Sequence, residues 1–289
     1  MEVLYGLHPV EEAVRSGARR LDRIVLARDR KDDRLEQIAR LCRELGVRVS
    51  LEPRETLTRL ARTDAHQGAV AVVRERSFLS VEDLLADLGR DRSSNSELTA
   101  QSGTDRVPHV SNLRRGNHHF YLALDGVEDP HNLGALLRTA DGAGVDGVLL
   151  PERRTAPVSA TVAKTSAGAS EHVRIARVTN LVRALEQMKA ANVWIVGLDE
   201  RGAPDYADFD FRTDCVLVLG REGAGLHDLV KRTCDHLLRI PMAGQVSSLN
   251  VSVAGAVVMY EAMRQRRAEV APVAAAAPKP PKPRKGLGS

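Results

Sequence analysis

A chain of 289 residues, 43% hydrophobic and 28% charged, has the composition of a soluble globular protein and is long enough for two units with cores of their own. A net charge of +4 and a pI near 9.1 permit an anionic partner without demanding one, and 3% aromatic residues argue against a platform that stacks single-stranded bases. The uncharged stretch 246–260 is too rich in Ser, Asn and Gly to span a membrane, and MEVLYGLHPVEEAV lacks the basic region and apolar core of a signal peptide, so a cytoplasmic protein with no membrane partner is expected. Cys42, Cys215 and Cys234 are far apart and form no CxxC pair, which points to reduced, buried thiols and no metal site.

Over residues 1–75 helices are expected at 8–16, 31–45 and 53–61 and strands at 22–27, 46–51 and 69–74. Leu35, Ile38, Ala39, Leu41, Cys42 and Leu45 make an apolar face at helical spacing, and Leu21, Ile24, Val25 and Leu26 suit a short buried strand. Residues 76–118 read as a linker with one short helix. Ser80 and Asp83 have capping-box spacing ahead of Leu84, whereas 89–118 holds too few apolar residues for a core. Residues 119–267 form a second α/β unit, with strands expected at Phe120–Val127, Gly147–Leu150, Val173–Val178, Val193–Leu198, Cys215–Gly220 and Leu237–Met242. Helices between several of them are the signature of a largely parallel sheet. Residues 268–289, ending AAAAPKPPKPRKGLGS, read as a disordered basic tail, solvated or touching nucleic acid.

Three loops of the second unit can hold chemistry. In the first, 125–140, a strand end is followed by Pro130 and by Asn132, expected at or near a helix N-cap. Leu133, Leu136, Leu137 and Ala140 form an apolar stripe, and Arg138 lies roughly 140° from its centre at ~100° per residue. A helix N-terminus with a nearby Arg is a phosphate site; a structural cap and a surface Arg are the plainer alternative. Gly142-Ala-Gly-Val-Asp-Gly147 fits GxGxxG but closes a helix and leads into a strand, so it reads as a C-cap and turn. In the second loop, Leu219-Gly-Arg-Glu-Gly-Ala-Gly225, the glycines let a ligand approach the backbone. No Lys-Ser/Thr of a P-loop is present, and Glu222 repels phosphate. A neutral or cationic adenosine-type ligand fits there, against a tight turn that needs Gly. In the third, 240–253, Ser247 or Ser248 can cap the next helix with Asn250 in its first turn.

Taken together, Asp129-Pro-His-Asn-Leu-Gly-Ala-Leu-Leu-Arg138, Leu219-Gly-Arg-Glu-Gly-Ala-Gly225 and Ile240-Pro-Met-Ala-Gly-Gln-Val-Ser-Ser-Leu-Asn-Val-Ser-Val253 resemble the SpoU-type RNA 2′-O-ribose methyltransferases of the SPOUT class in order and spacing. Leu4-Tyr-Gly-Leu-His-Pro-Val-Glu-Glu-Ala13 and His66-Gln-Gly68 are similar to the small ribosomal-protein-like α/β RNA-binding domain that precedes the catalytic domain in that family. The resemblance implies a parallel sheet with a C-terminal trefoil knot, S-adenosylmethionine as methyl donor with no metal, and a homodimer. By motif position it places Gly220, Ile240, Leu249, Leu219 and Met242 at the cofactor and makes Asn132, Arg138, Glu222, Ser248 and Asn250 the catalytic set. The implied substrate is the ribose 2′-hydroxyl of a guanosine in 23S rRNA, with no DNA partner. The alternatives are a tRNA methyltransferase of the same class and a non-catalytic rRNA-binding assembly factor.

An Arg at the position of Arg138 has been proposed in this family as the base. A guanidinium resists deprotonation, so the expected role of Arg138 is to hold a phosphate or the developing alkoxide. Glu222 is expected to orient its neighbours, because stabilising the sulfonium itself would favour the ground state.

Overall fold

The computed structural model describes residues 1–17, 19–30, 32–86, 88 and 118–270. Most of the expected linker, 89–117, and the expected tail beyond Val270 lie outside the described residues. Residues 2–73 build a four-stranded sheet from β1 (Glu2–Tyr5), β2 (Leu21–Ala27), β3 (Val49–Glu52) and β4 (Ala69–Val73), in the order β1-β4-β2-β3. Helices α1 (Leu7–Ser16), α2 (Asp33–Glu44) and α3 (Arg54–Ala61) accompany it. β1, too short to stand out in the sequence, pairs antiparallel with β4 and sends Leu4 fully into the core. Leu45 does not continue the α2 stripe. It is the residue after the last turn, and the chain turns away there, leaving it 55% exposed.

The second sheet has the order β10-β8-β9-β5-β6-β7, every pairing parallel. Its strands are β5 (Phe120–Leu124), β6 (Gly147–Pro151), β7 (Ile175–Val178), β8 (Trp194–Leu198), β9 (Cys215–Leu219) and β10 (His236–Leu238). Every residue of β5 and of β9 is buried, as a parallel sheet covered on both faces requires. Helices α5 (Pro130–Ala143) and α9 (Val251–Val270) pack against each other beside one face. The other is covered by α7 (Leu181–Ala190), α8 (Asp228–Thr233) and a short helix α4 at 81–86. α6 (Ala160–Thr165) lies against α5.

α4 has the expected capping box: Asp83 N–H donates to Ser80 Oγ at 3.1 Å, and Ser80 N–H donates to Asp83 Oδ2 at 2.8 Å. The segment is not free of the sheet, however. Leu79 bridges to β7, and Val81, Leu84 and Leu88 join the core. Gly144 ends α5 at φ 74° with its N–H bonded to the Ala140 and Asp141 carbonyls, so the GxGxxG-like run is a helix cap. β10 is shorter than the expected Leu237–Met242. Its partner β8 ends opposite Leu238, and Pro241 has no N–H to extend the ladder. Between β8 and β9 there is no α-helix, only a short 3-10 turn (Tyr206–Asp208). The loop 199–214 instead bonds to the exit from β10 (Tyr206 N to Arg239 O, 2.9 Å) and to α9 (Phe211 N to Gln265 Oε1, 2.9 Å).

Candidate active site

The three loops singled out above meet at the carboxyl ends of β5, β9 and β10, where open parallel sheets hold ligands. After β5 the chain turns and Asp129 caps α5, its Oδ1 accepting from His131 N–H at 3.0 Å. Asp129 rather than Asn132 is the cap because Pro130 keeps the residue before it extended (φ −78°, ψ 122°) and itself takes the first helical position. Asn132 is thereby moved into the first turn. At the third loop Asn250, not Ser247 or Ser248, caps α9. Its Oδ1 accepts from Ser252 N–H at 2.9 Å and Val253 N–H at 3.4 Å, while its carbonyl receives Ala254 N–H. The amide side chain therefore stands just outside the helix.

Glu222, in the loop after β9, joins these two elements. Its Oε2 accepts from Asn132 Nδ2 at 3.1 Å and its Oε1 from Asn250 Nδ2 at 2.7 Å, and Asn250 Nδ2 also donates to Asn132 Oδ1 at 3.0 Å. Residues 90 and 28 positions from Glu222 are brought into one hydrogen-bonded triangle. The two Nδ2 protons of Asn250 are both engaged, whereas Asn132 keeps one donor and one lone pair.

Beside the triangle a cleft of about 520 Å³ opens, a size typical of small-ligand sites. Of the residues expected at the cofactor, Gly220, Leu219, Ile240, Met242 and Leu249 all line it, as do Glu222 and Ser248 of the expected catalytic set. The 220–225 loop forms one wall, closed by reciprocal backbone bonds between Arg221 and Gly225 at 3.0 and 2.9 Å. Gly220 is required there, since a Cβ would lie 2.2 Å from the Gly225 carbonyl carbon. Arg138 is not brought to the cleft. It stands exposed on α5, with no hydrogen bond or ion pair among the described residues.

The sequence reading missed the wall formed by the end of β8. Leu198, Asp199, Glu200 and Arg201 line the cleft opposite the Gly loop. Asp199 Oδ2 accepts from Lys231 Nζ at 2.7 Å and Oδ1 from Arg201 N–H at 2.9 Å. Burial pushes the Asp199 carboxyl up, but those bonds and the two cationic side chains outweigh it and hold the group below its ordinary value. The available signal was positional, because β8 is a parallel strand ending next to β9. The three cysteines are free thiols; Cys42 and Cys215 are buried as expected, whereas Cys234 is half-buried. Burial pushes Cys215 up to about 11 and Cys234 to about 12, so neither is a thiolate near neutrality. Among the described residues no cluster of His, Cys, Asp or Glu could hold a metal, and no helix is long and apolar enough to cross a membrane.

A family model described as the SpoU rRNA methylase family matches residues 119–260, and one described as RNA 2′-O ribose methyltransferase substrate binding matches residues 3–79. A 23S rRNA (guanosine-2′-O-)-methyltransferase of Bordetella pertussis is 40% identical over 266 residues, covering 92% of this chain and 98% of that one. A protein of the same name from Ralstonia nicotianae is 38% identical over 92% of this chain and 96% of its own. The chain belongs to the SpoU rRNA methylase family. Among solved structures, the SpoU methyltransferase AviRb of Streptomyces viridochromogenes in complex with AdoMet is similar at a TM-score of 0.68 and 25% identity, covering 92% of this chain and 90% of that chain. An AdoMet-bound rRNA methyltransferase of Sinorhizobium meliloti is similar at 0.68 and 27%, covering 91% and 87%.

Proposed function

We propose that the chain transfers a methyl group from S-adenosylmethionine to the ribose 2′-hydroxyl of a guanosine in 23S rRNA, as a cytoplasmic homodimer. Residues 1–75 serve as its RNA-binding domain and 119–267 as a knotted catalytic domain, joined through 76–118. The observation that carries this reading is the Asn132–Glu222–Asn250 triangle set against the cleft. The relatives named as 23S rRNA guanosine methyltransferases support the substrate.

The cleft suits the cofactor. Leu219, Ile240, Met242 and Leu249 offer apolar surface for an adenine, and the strand ends and Gly loop offer backbone groups. Glu222, whose hydrogen-bond partners are neutral amides, sets a carboxylate at the cleft that accommodates a sulfonium and repels a phosphate. When bound, S-adenosylmethionine supplies an electrophilic methyl group.

The chain's own residues position the acceptor. Asn132 uses its remaining donor and lone pair on the ribose hydroxyls, held in one orientation because Glu222 and Asn250 occupy the rest of its amide. Glu222, with both oxygens committed to amides, orients and does not act as the base. Ser248 lines the same cleft and would orient the cofactor tail. Arg138, free of any carboxylate among the described residues and outside this chain's own cleft, holds the adjacent phosphate or the developing alkoxide of an acceptor that reaches it, and the 2′-proton leaves to a phosphate oxygen or water.

Two features support the knot and the dimer. The 199–214 loop is bonded both to the exit from β10 and to α9, an arrangement that a knotted chain would have. Val253 and Tyr260 on α9 are each 49% exposed, and Val246 is 67% exposed, an apolar surface that a second chain would cover. Calorimetric titration with S-adenosylmethionine tests the reading. One site per chain is expected, with affinity lost in Gly220→Ala; no heat of binding at millimolar cofactor contradicts it.

A further inference from the structure

The N-terminal unit meets the second along one segment, residues 160–172, which runs from α6 through a short 3-10 turn (Ala169–Glu171) towards β7. Ala163 on α6 is 1% exposed and packs within the N-terminal core beside Leu4, Leu7 and Val10. Gly168, at φ 88°, lies so near α1 that a Cβ would meet Glu12 Cβ at 2.7 Å and the His8 carbonyl oxygen at 3.2 Å. Glu171, with a fully buried side chain, is enclosed by two guanidinium groups. Arg19 Nε lies 2.8 Å from its Oε2 and Arg19 Nη2 donates to its Oε1 at 3.1 Å, while Arg76 Nη2 lies 3.4 Å from the same oxygen. Arg76 also donates to the carbonyls of Ser170 and Val173, and Glu2 on β1 takes Arg19 Nη1.

On its other side the same segment touches the helix of the active site. A Cβ on Gly134 would sit 2.6 Å from Thr165 Cβ and 3.1 Å from Ser166 N. Gly134 lies on α5 between Asn132 and Arg138. Packed contacts thus run unbroken from the N-terminal core to the helix that holds both residues. The exit from β4 is equally constrained, because Leu79 N–H donates to Ile175 O at 2.9 Å and Leu79 O accepts from Arg177 N–H at 3.1 Å.

A buried ion cluster is a poor source of net stability compared with apolar packing of the same volume. This one is also imperfectly satisfied. Arg19 Nε and Glu171 Oε2 meet without forming a hydrogen bond, and Arg76 Nε has no hydrogen-bond partner among the described residues. What the cluster does supply is a single orientation, since any rotation of the N-terminal unit strands a buried charge. The geometry points to Arg19, Arg76 and Glu171 as positioning residues that hold the N-terminal unit at a fixed setting relative to α5, so that RNA gripped by that unit presents one nucleotide to Asn132 and Arg138. This rests on the reading above, in which the N-terminal unit binds the RNA.

The test uses the full chain and an rRNA fragment that the wild type methylates. It follows KM for RNA, Kd for S-adenosylmethionine and the position of the methyl mark. Glu171→Gln removes the charge and keeps the shape. KM for RNA is expected to rise about tenfold and marks to spread to neighbouring nucleotides, with cofactor Kd unchanged, because small misplacements of a reacting group are costly. Two uncompensated arginines can also weaken folding, so Arg76→Lys is run beside it. Lysine keeps the charge but cannot bridge Glu171 and two carbonyls at once, and the same changes are expected at smaller size. A folded variant of either kind that marks only the wild-type nucleotide, with KM within about twofold of wild type, overturns the proposal. Failure of the wild type to methylate any RNA would instead overturn the functional reading beneath it.

Discussion

Asn250 does two things with one amide. Its oxygen caps α9 and its nitrogen reaches Glu222 and Asn132. Aspartate caps as well as asparagine but cannot donate, and would set a carboxylate against Glu222. Asn250→Asp is therefore expected to unfold within a few degrees of wild type while losing about a hundredfold or more in kcat, in line with the loss of a preorganised polar contact; equal losses in Tm and activity would make Asn250 merely structural. Arg138 poses a different question, because it stands apart from the cleft. If it binds phosphate bidentately, Arg138→Lys loses most of the activity of the wild type and Arg138→Ala slightly more. A lysine variant with most of its activity intact contradicts that role, and a steep rise of rate with pH that needs Arg would restore it as the base. The residues of the triangle could be read from their loops, but their partners could not. Asn132–Glu222 and Asn250–Glu222 are contacts of long sequence separation, and only the parallel sheet makes them neighbours.

At the scale of elements, the Gly loop after β9 owes its shape to Gly220. Adding a methyl group puts a carbon against backbone, not against a movable side chain. Gly220→Ala is expected to open the loop, cost about 1–3 kcal/mol of stability and weaken cofactor binding more than tenfold, as read by thermal unfolding and calorimetry; wild-type affinity would show the wall is not needed. Strands β5 and β9 were legible because buried parallel strands are uniformly apolar runs. β1 was not, since four residues carry too little pattern and its place depends on pairing with β4 at the far end of the unit. Helix starts were shifted by local chemistry. Asp129 before Pro130 displaced Asn132 from the cap, and Asn250 took the cap from the serines. Asp199 escaped notice because nothing in Gly-Leu-Asp-Glu distinguishes it until β8 is set beside β9.

At the scale of the whole molecule, the apolar stripe on α9 predicts a second chain. The wild type is expected to sediment as a dimer, and Tyr260→Arg with Val253→Asp to sediment as a monomer with little methyl transfer and an unchanged fold by circular dichroism. A monomeric, fully active wild type would contradict this. The bonds that tie loop 199–214 to the exit from β10 and to α9 join residues far apart in the chain, which no periodicity or spacing encodes. Residues 160–172 tie the N-terminal unit to α5 by contacts equally invisible in the sequence, since no local pattern marks Glu171 as buried. The most direct measurement of the central claim is ribose-methylation mapping of 23S rRNA incubated with the purified chain and S-adenosylmethionine. A single new 2′-O-methylguanosine, absent when Asn250→Asp replaces the wild type, is the result predicted. A methyl group on a base, or no mark on rRNA while tRNA is modified, would contradict it.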